Sequence, residues 1–293
     1  MMSAQILANT VRPRRSVLYM PAANVRAIEK ARTLPADCII LDLEDAVAPA
    51  MKVTARAQAI QEVCAGGFGR RELAVRINPP GTPWFEDDLA AVLAAPVQAV
   101  VLPKVETSEV IQHVGDQLPQ GMAVWAMIET PRGVLAADAI AFAHARLAAL
   151  VMGTSDLAKE LRVPHRPDRL GFLYALSRVV NAARAAGLDA IDGVCLDLED
   201  EQAFQASCEH GRALGFDGKS LIHPKQIGPA NRVFAPDAAA VAQAARIVDC
   251  WRAAEQAGQG VAVLDGKLVE NLHAAEAERV LALAESIQVL AAD

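Results

Sequence analysis

The sequence predicts an α/β protein built as a (β/α)8 TIM barrel with a C-terminal helical and hairpin extension. Three observations predict it. Eight short apolar or β-branched runs alternate with alanine-rich segments of helical period, over the roughly 200–250 residues that such a barrel needs. Most of the runs lack strict apolar–polar alternation, which suits strands buried on both faces of a parallel sheet. The first run is followed by PAANVR, not by the G-x-G-x-x-G turn of the competing doubly wound open sheet.

In chain order the runs are SVLYMP (16–21), CIILDLE (38–44), LAVRIN (73–78), AVVLPKV (99–105), AVWAMIE (123–129), LVMGT (150–154), IDGVCLD (191–197) and KSLIHP (219–224). Segments such as NVRAIEKARTL and LYALSRVVNAARAAGL carry the helical period between them. Beyond residue 234 the pattern changes. PDAAAVAQAARIVDCWRAAEQAG predicts a helix that stops at Gly258, VAVLDGKLVE a hairpin turning on Asp265-Gly266, and HAAEAERVLALAESIQVL a closing helix. The expected division is a catalytic barrel over 1–233 and an extension over 234–293 that acts as a lid or an oligomer clasp.

Composition excludes several classes. With 53% hydrophobic residues and 22% charged, the chain is not intrinsically disordered. A net charge of −7 offers no basic stripe, so nucleic acid is not an expected partner. The richest apolar stretch, AIAFAHARLAALVMG, is interrupted by His144 and Arg146, so no membrane span is expected. MMSAQILANTVRPRR places its arginines after the short apolar part and lacks a small-residue cleavage site, so it does not read as a secretory signal. Cys38, Cys64, Cys195, Cys208 and Cys250 are odd in number and form no C-x-x-C, as expected of reduced thiols in a cytoplasmic protein.

Barrel enzymes build their sites at the C-terminal ends of the strands. The ends of the runs supply Asp42, Glu44 and Asp45; Arg76 and Asn78; Lys104 and Glu106; Glu129; Ser155 and Asp156; Asp197; and His223. Polar residues are expected there in any case, because loops are solvated and Asp and Ser cap helices. Several carboxylates converging on one rim beside Arg76 need more. Crowded like charges repel, and a divalent cation is a common remedy; hard oxygen ligands point to Mg2+ or Mn2+. No histidine pair has the spacing of a zinc site.

Three motifs are decoys. ALGFDGKS (213–220) has Ala213 where a P-loop needs glycine and runs from helix into strand, the reverse of a P-loop. GTSDL (153–157) sits on a strand-to-helix turn, but Leu157 replaces the last glycine of a nucleophile elbow. LDLED occurs at 41–45 and again at 196–200, which reflects recurrent strand-end chemistry.

Taken in order, RSVLYMPAANVRAIEKA, ILDLEDAVAPAMKVTAR, VRIN, LPKVE, MIETPRG, GTSDLAKEL, AGLDAIDGV and GFDGKSLIHPKQI resemble the citrate lyase β-subunit-like group of the HpcH/HpaI aldolase superfamily. That group includes malyl-CoA and citramalyl-CoA lyases, and the resemblance runs over residues 15–290. It implies that Glu129 and Asp156 hold Mg2+, with Mn2+ as an alternative ion. It implies that Arg76 grips the substrate carboxylate and stabilises the enolate, alongside or instead of an ion pair with Glu44 or Asp45. Glu44 and Asp45 would tune the metal through bound water or form a salt bridge on the rim. Asn24, Arg26 and Lys30 fall where the family holds the phosphates of coenzyme A, although a solvated basic face is the plain alternative. Arg15 is a further substrate-binding candidate, with an ion pair at the strand end as its alternative. Lys104 could be a Schiff-base lysine in a metal-free aldolase, a role the resemblance argues against.

The C-terminal block departs from the family pattern D-G-K-M-[IV]-D-x-P. Here it reads DGKLVENL, with Glu270 at the acid/base aspartate and Leu272 at the proline. Glutamate keeps a carboxylate but extends it by one methylene. Ser155 stands where the family often has glutamate. The expectation is a Mg2+-dependent carbon–carbon lyase that cleaves a β-hydroxyacyl-CoA to acetyl-CoA and a 2-oxo acid. Arg76 and Glu270 would be its catalytic residues, in a homotrimer or hexamer. The alternatives are a malyl-CoA thioesterase, a citrate lyase β-subunit acting on an acyl-carrier-protein thioester, and a non-catalytic acyl-CoA-binding protein.

Overall fold

A computed structural model describes residues 11–292, so the first ten residues, part of the segment read against a secretory signal, lie outside the described residues. Eight parallel strands close into a barrel in sequence order. They are β1 (Ser16–Pro21), β2 (Cys38–Asp42), β3 (Glu72–Arg76), β4 (Ala99–Leu102), β5 (Ala123–Ile128), β6 (Leu147–Met152), β7 (Asp189–Asp192) and β8 (Gly218–Leu221), which pairs back onto β1. The surrounding helices are α1 (Val25–Ala31), α2 (Lys52–Ala65), α3 (Phe85–Leu93), α4 (Ser108–Gly115), α5 (Pro131–Leu135) and α6 (Ala137–Ala141). They continue with α7 (Thr154–Leu161), α8 (Leu173–Ala185), α9 (Glu201–Leu214) and α10 (Ile227–Phe234). The predicted barrel is the observed one.

Both faces of the strands are buried, which is why the runs read as nearly continuous apolar sequence. Val17, Ile40, Ala74, Val101, Trp125, Met127, Val151 and Ile191 fill the interior. Leu18, Ile39, Leu41, Val75, Val100 and Leu150 pack outward under the helices. Trp125 is fully buried, and its register partner is Ala149, whose small side chain leaves room for the indole. This accounts for one difference from the sequence reading. β6 begins at Leu147, three residues before the predicted run, because the alanines that look helical are what the crowded interior requires.

β7 differs more. It ends at Asp192, and the stretch after Gly193 is an open loop whose Leu196 and Asp197 are exposed. Asp192 ends the strand in a fully buried ion cluster, accepting from Lys219 Nζ at 2.8 Å and from the Arg169 guanidinium. Lys219, the lysine of the P-loop look-alike, is therefore committed to this pair.

The register sets Pro21 beside Asp42 and Asp42 beside Arg76, so the C-terminal strand ends form one rim. At the opposite end Arg14 spans the barrel mouth. Its guanidinium donates to Glu72 at 2.7 and 2.8 Å, at the start of β3, and to Asp189 at 2.6 Å, at the start of β7. It also lies over the Trp125 ring, 4.9 Å from the centroid.

The barrel with its helices, Arg14–Phe234, is one compact unit, and a second begins at Ala235. In the second, α11 (Ala238–Gln256) and α12 (Asn271–Ala291) pack through Ala244, Val248 and Ala277. A hairpin of β9 (Ala262–Leu264) and β10 (Lys267–Val269) connects them. Its turn residues Asp265 and Gly266 have φ of 52° and 74°, the left-handed pair that a type I′ hairpin demands. Among the described residues no helix is long and apolar enough to cross a membrane.

Candidate active site

The C-terminal rim gathers five carboxylates and two cations from consecutive strands. Asp42 ends β2, and its carboxylate accepts the backbone N–H of Glu44 at 2.9 Å and of Ala46 at 3.2 Å, fixing the next turn of chain. Lys52, at the start of α2, braces that turn by donating to the carbonyls of Leu43 at 2.7 Å and Glu44 at 2.6 Å. Arg76 ends β3 and faces this turn. Its Nε and Nη2 donate to the two Asp42 oxygens at 2.7 and 2.6 Å, and its Nη1 lies 2.7 Å from Glu44 Oε2. The Tyr19 ring lies beneath the guanidinium, 4.9 Å away, and the Tyr19 hydroxyl contacts Met127 Sδ at 3.4 Å. Burial opposes the charge on Arg76, but Asp42, Tyr19 and Glu44 outweigh it and hold the group well above its ordinary pKa. Arg76 is a permanent, oriented cation.

Glu129 follows β5 and is only 3% exposed. Its Oε1 accepts the backbone N–H of Lys104 at 2.7 Å. A side chain at Gly153, the residue after β6, would bring a Cβ to 2.2 Å from Glu129 Oε2, so glycine is what makes room for the carboxylate. Burial first, then the charge of Glu44, push the Glu129 carboxyl up to about 8, with Arg76 and Lys104 only partly opposing. Burial likewise raises Glu44, against the pull of Arg76 and Lys104. Asp156 lies in the first turn of α7, where a carboxylate also favours the helix dipole.

Lys104 follows β4 in a left-handed conformation, φ 52°. Its Nζ stands 2.5 Å from Glu44 Oε1, 3.3 Å from Asp156 Oδ2 and 3.9 Å from Asp45 Oδ1. Burial lowers its pKa, but the hydrogen bond and charge of Glu44 more than reverse this. A Schiff-base lysine needs a depressed pKa, so Lys104 is a poor nucleophile.

The structure brings Glu44, Asp45, Arg76, Glu129 and Asp156 together. Other predicted residues have local partners of their own. Arg15 sits at the N-terminal end of β1, with its backbone N–H and guanidinium all on Asp37 at 2.7–2.8 Å. The strand-end ion pair is the correct reading of Arg15, and it is no part of this rim. Asn24 caps α1 by accepting from Ala27 N at 3.1 Å, and Arg26 and Lys30 are exposed on that helix. Glu270 belongs to the second unit, half-buried at the N-cap of α12, where its N–H donates to His273 Nδ1 at 3.1 Å. Asn78 is buried against Asp88 at 2.6 Å, a structural role. The sequence assigns no part to Tyr19, Met127 or Lys52, and marks Asp42 only as one of the strand-end carboxylates, not as the partner of Arg76. Tyr19, Asp42 and Arg76 are in inward positions on neighbouring strands, a signal readable once register is known.

The donor set fits a hard divalent cation. Glu129 needs a proton or a cation to be comfortable in its pocket, and Asp156 and Glu44 each present a buried oxygen without an aligned hydrogen bond. Among the described residues no three His, Cys, Asp or Glu side chains form a closed metal cage. Two protein carboxylates with water and substrate oxygens completing the shell is the pattern Mg2+ takes.

Residues 15–224 match the HpcH/HpaI aldolase/citrate lyase family. The chain belongs to this family. It is 47% identical over 286 residues to a (3S)-malyl-CoA thioesterase of Cereibacter sphaeroides, covering 98% of this chain and 100% of the relative. It is 34% identical over 295 residues to the citrate lyase subunit beta of Escherichia coli, covering 97% and 98%. Among solved structures it resembles the protein CitE of Mycobacterium tuberculosis in complex with magnesium, acetoacetate and coenzyme A. That likeness has a TM-score of 0.75 at 30% identity, over 94% of this chain and 99% of the other. Family members of this kind are enzymes, and the relatives' names divide between thioester hydrolysis and citrate cleavage.

Proposed function

We propose that this protein is a divalent-metal enzyme acting on the coenzyme A thioester of a small hydroxy dicarboxylic acid, of the malyl-CoA type, and that it hydrolyses the thioester. The observation that carries the reading is Arg76 locked by Asp42 and Glu44 beside the buried Glu129. Glu129 and Asp156 would hold Mg2+, which when bound supplies a Lewis acid for substrate oxygens. Glu129 is kept aimed by the Lys104 N–H and by the space at Gly153. Arg76 presents fixed positive charge to the oxygen of the thioester carbonyl, where negative charge develops as water attacks. The C–S bond then breaks, releasing malate and free coenzyme A. Glu270 of a neighbouring copy of the chain is proposed, in trans, as the group that takes the proton from water and returns it to the leaving thiolate. The exposed Arg26 and Lys30 supply cations for the phosphates of coenzyme A.

Hydrolysis leads because the relatives at 47% identity bear that name. Carbon–carbon cleavage to acetyl-CoA and a 2-oxo acid is the second reading, favoured by the citrate lyase subunit at 34%. Arg76 serves it equally, since the departing thioester enolate places its charge on the same oxygen. Products separate the two. Incubation with (3S)-malyl-CoA and Mg2+ is expected to release free thiol without acetyl-CoA or glyoxylate. Acetyl-CoA with stoichiometric glyoxylate establishes the lyase, and no product of either kind overturns both. A trimer or hexamer is proposed as the working assembly, to be checked by light scattering.

A further inference from the structure

Lys104 meets both proposed metal ligands from one backbone position, by two different groups. Its N–H donates to Glu129 Oε1 at 2.7 Å, while its ammonium stands 3.3 Å from Asp156 Oδ2 and 2.5 Å from Glu44 Oε1. The two contacts differ in kind. The N–H bond is fixed by the backbone and independent of the side chain. The ammonium ends a flexible four-carbon stem that is about a third exposed, at 36%. Its Asp156 contact is a proximity of charges, because Asp156 Oδ2 has no aligned hydrogen bond. Glu44 does not depend on Lys104 alone, since Arg76 Nη1 already lies 2.7 Å from its other oxygen.

We propose that Lys104 is a built-in counter-cation of the carboxylate cluster, which an incoming divalent metal must push off Asp156, so that this lysine sets how tightly the site takes its metal. The inference rests on the metal reading above. In the metal-free protein the ammonium screens Glu44, Asp45 and Asp156 from one another. A dication between Glu129 and Asp156 would stand beside a like charge, and the ammonium would give up Asp156 while keeping its contact with Glu44. The backbone N–H would keep Glu129 aimed throughout. Orientation and competition thus sit on separate atoms of one residue, and substitution of the side chain removes only the competition.

The test is calorimetric titration of the substrate-free, full-length protein with Mg2+ and with Mn2+. Lys104→Met and Lys104→Gln are expected to bind both ions about tenfold more tightly than the wild type, and Lys104→Arg, which keeps the charge, to stay near it. The rise in melting temperature on adding Mg2+ is expected to be larger for both neutral variants than for the wild type. Unchanged or weaker binding by both neutral variants overturns the proposal. Glu129→Gln separates the two levels. If it loses binding while the neutral lysine variants gain none, the metal site stands and only the counter-cation fails. If Glu129→Gln binds as the wild type does, the metal reading itself is wrong and the proposal falls with it.

Discussion

The two ends of the barrel use the same residue types in opposite ways. At the N-terminal end Arg14 is matched to Glu72 and Asp189, and Arg15 to Asp37, so each guanidinium is surrounded by its carboxylates. At the C-terminal rim Arg76 and Lys104 face Asp42, Glu44, Asp45, Glu129 and Asp156, and acid is in excess. The closed end comes within one charge of neutrality, three carboxylates against two guanidinium groups, each of them ion-paired. The open end leaves two buried carboxyls raised by burial, Glu44 and Glu129, the latter pushed up to about 8. Charge balance, more than burial, separates the two ends, in keeping with the proposed site at the C-terminal rim.

The sharpest way to break the contrast is at Glu129. Glu129→Ala is expected to lower kcat/KM for the thioester by about a thousandfold or more while leaving the melting temperature in the absence of metal unharmed or raised. Turnover at the wild-type level would remove Glu129 from the chemistry. Arg14→Ala should do the reverse. It leaves Glu72 buried without its partner, and is expected to cost about 3–5 kcal/mol in denaturant unfolding with kcat of the folded enzyme unchanged. Asp42→Asn probes a residue that acts through another. It loosens the bidentate hold on Arg76 and is expected to lower kcat/KM by about 10–100-fold while metal binding, read by calorimetry, is retained.

The smallest expected effect is a slope. The Glu129 carboxyl titrates near 8 in the folded protein and near 4.5 in the unfolded chain, so the folded state holds its proton more tightly. That contribution to stability is complete below pH 4.5 and is lost as pH rises through about 8. Chelated wild type is therefore expected to lose melting temperature across this window, and Glu129→Gln to stay flatter. Parallel curves for the two proteins would place the proton elsewhere.

Much of this was legible in the sequence, and the failures have physical causes. The strand-end acids of β2, β5 and β6 meet because parallel strands in a closed barrel must end on one rim, and that follows from topology alone. Arg15 precedes the first run, so strand direction alone sets it at the end opposite the rim, where it pairs with Asp37. The seventh run extends too far in the sequence because Gly193-Val194-Cys195-Leu196 is apolar, yet the strand stops at the Asp192 ion cluster with Lys219 and Arg169. That cluster joins residues far apart in the chain, and no local pattern announces it. Tyr19 and Met127 were hidden in the apolar strand interiors, where a residue that supports Arg76 looks the same as one that fills the core.

Gly153 carries a practical corollary for anyone who would change what this enzyme accepts. With no clearance toward Glu129, that position is closed even to alanine, whereas Ser155, two residues on, is exposed. A mutant library spread evenly over the GTSD turn would waste its diversity at the first residue, and selection for new substrates should begin at the third.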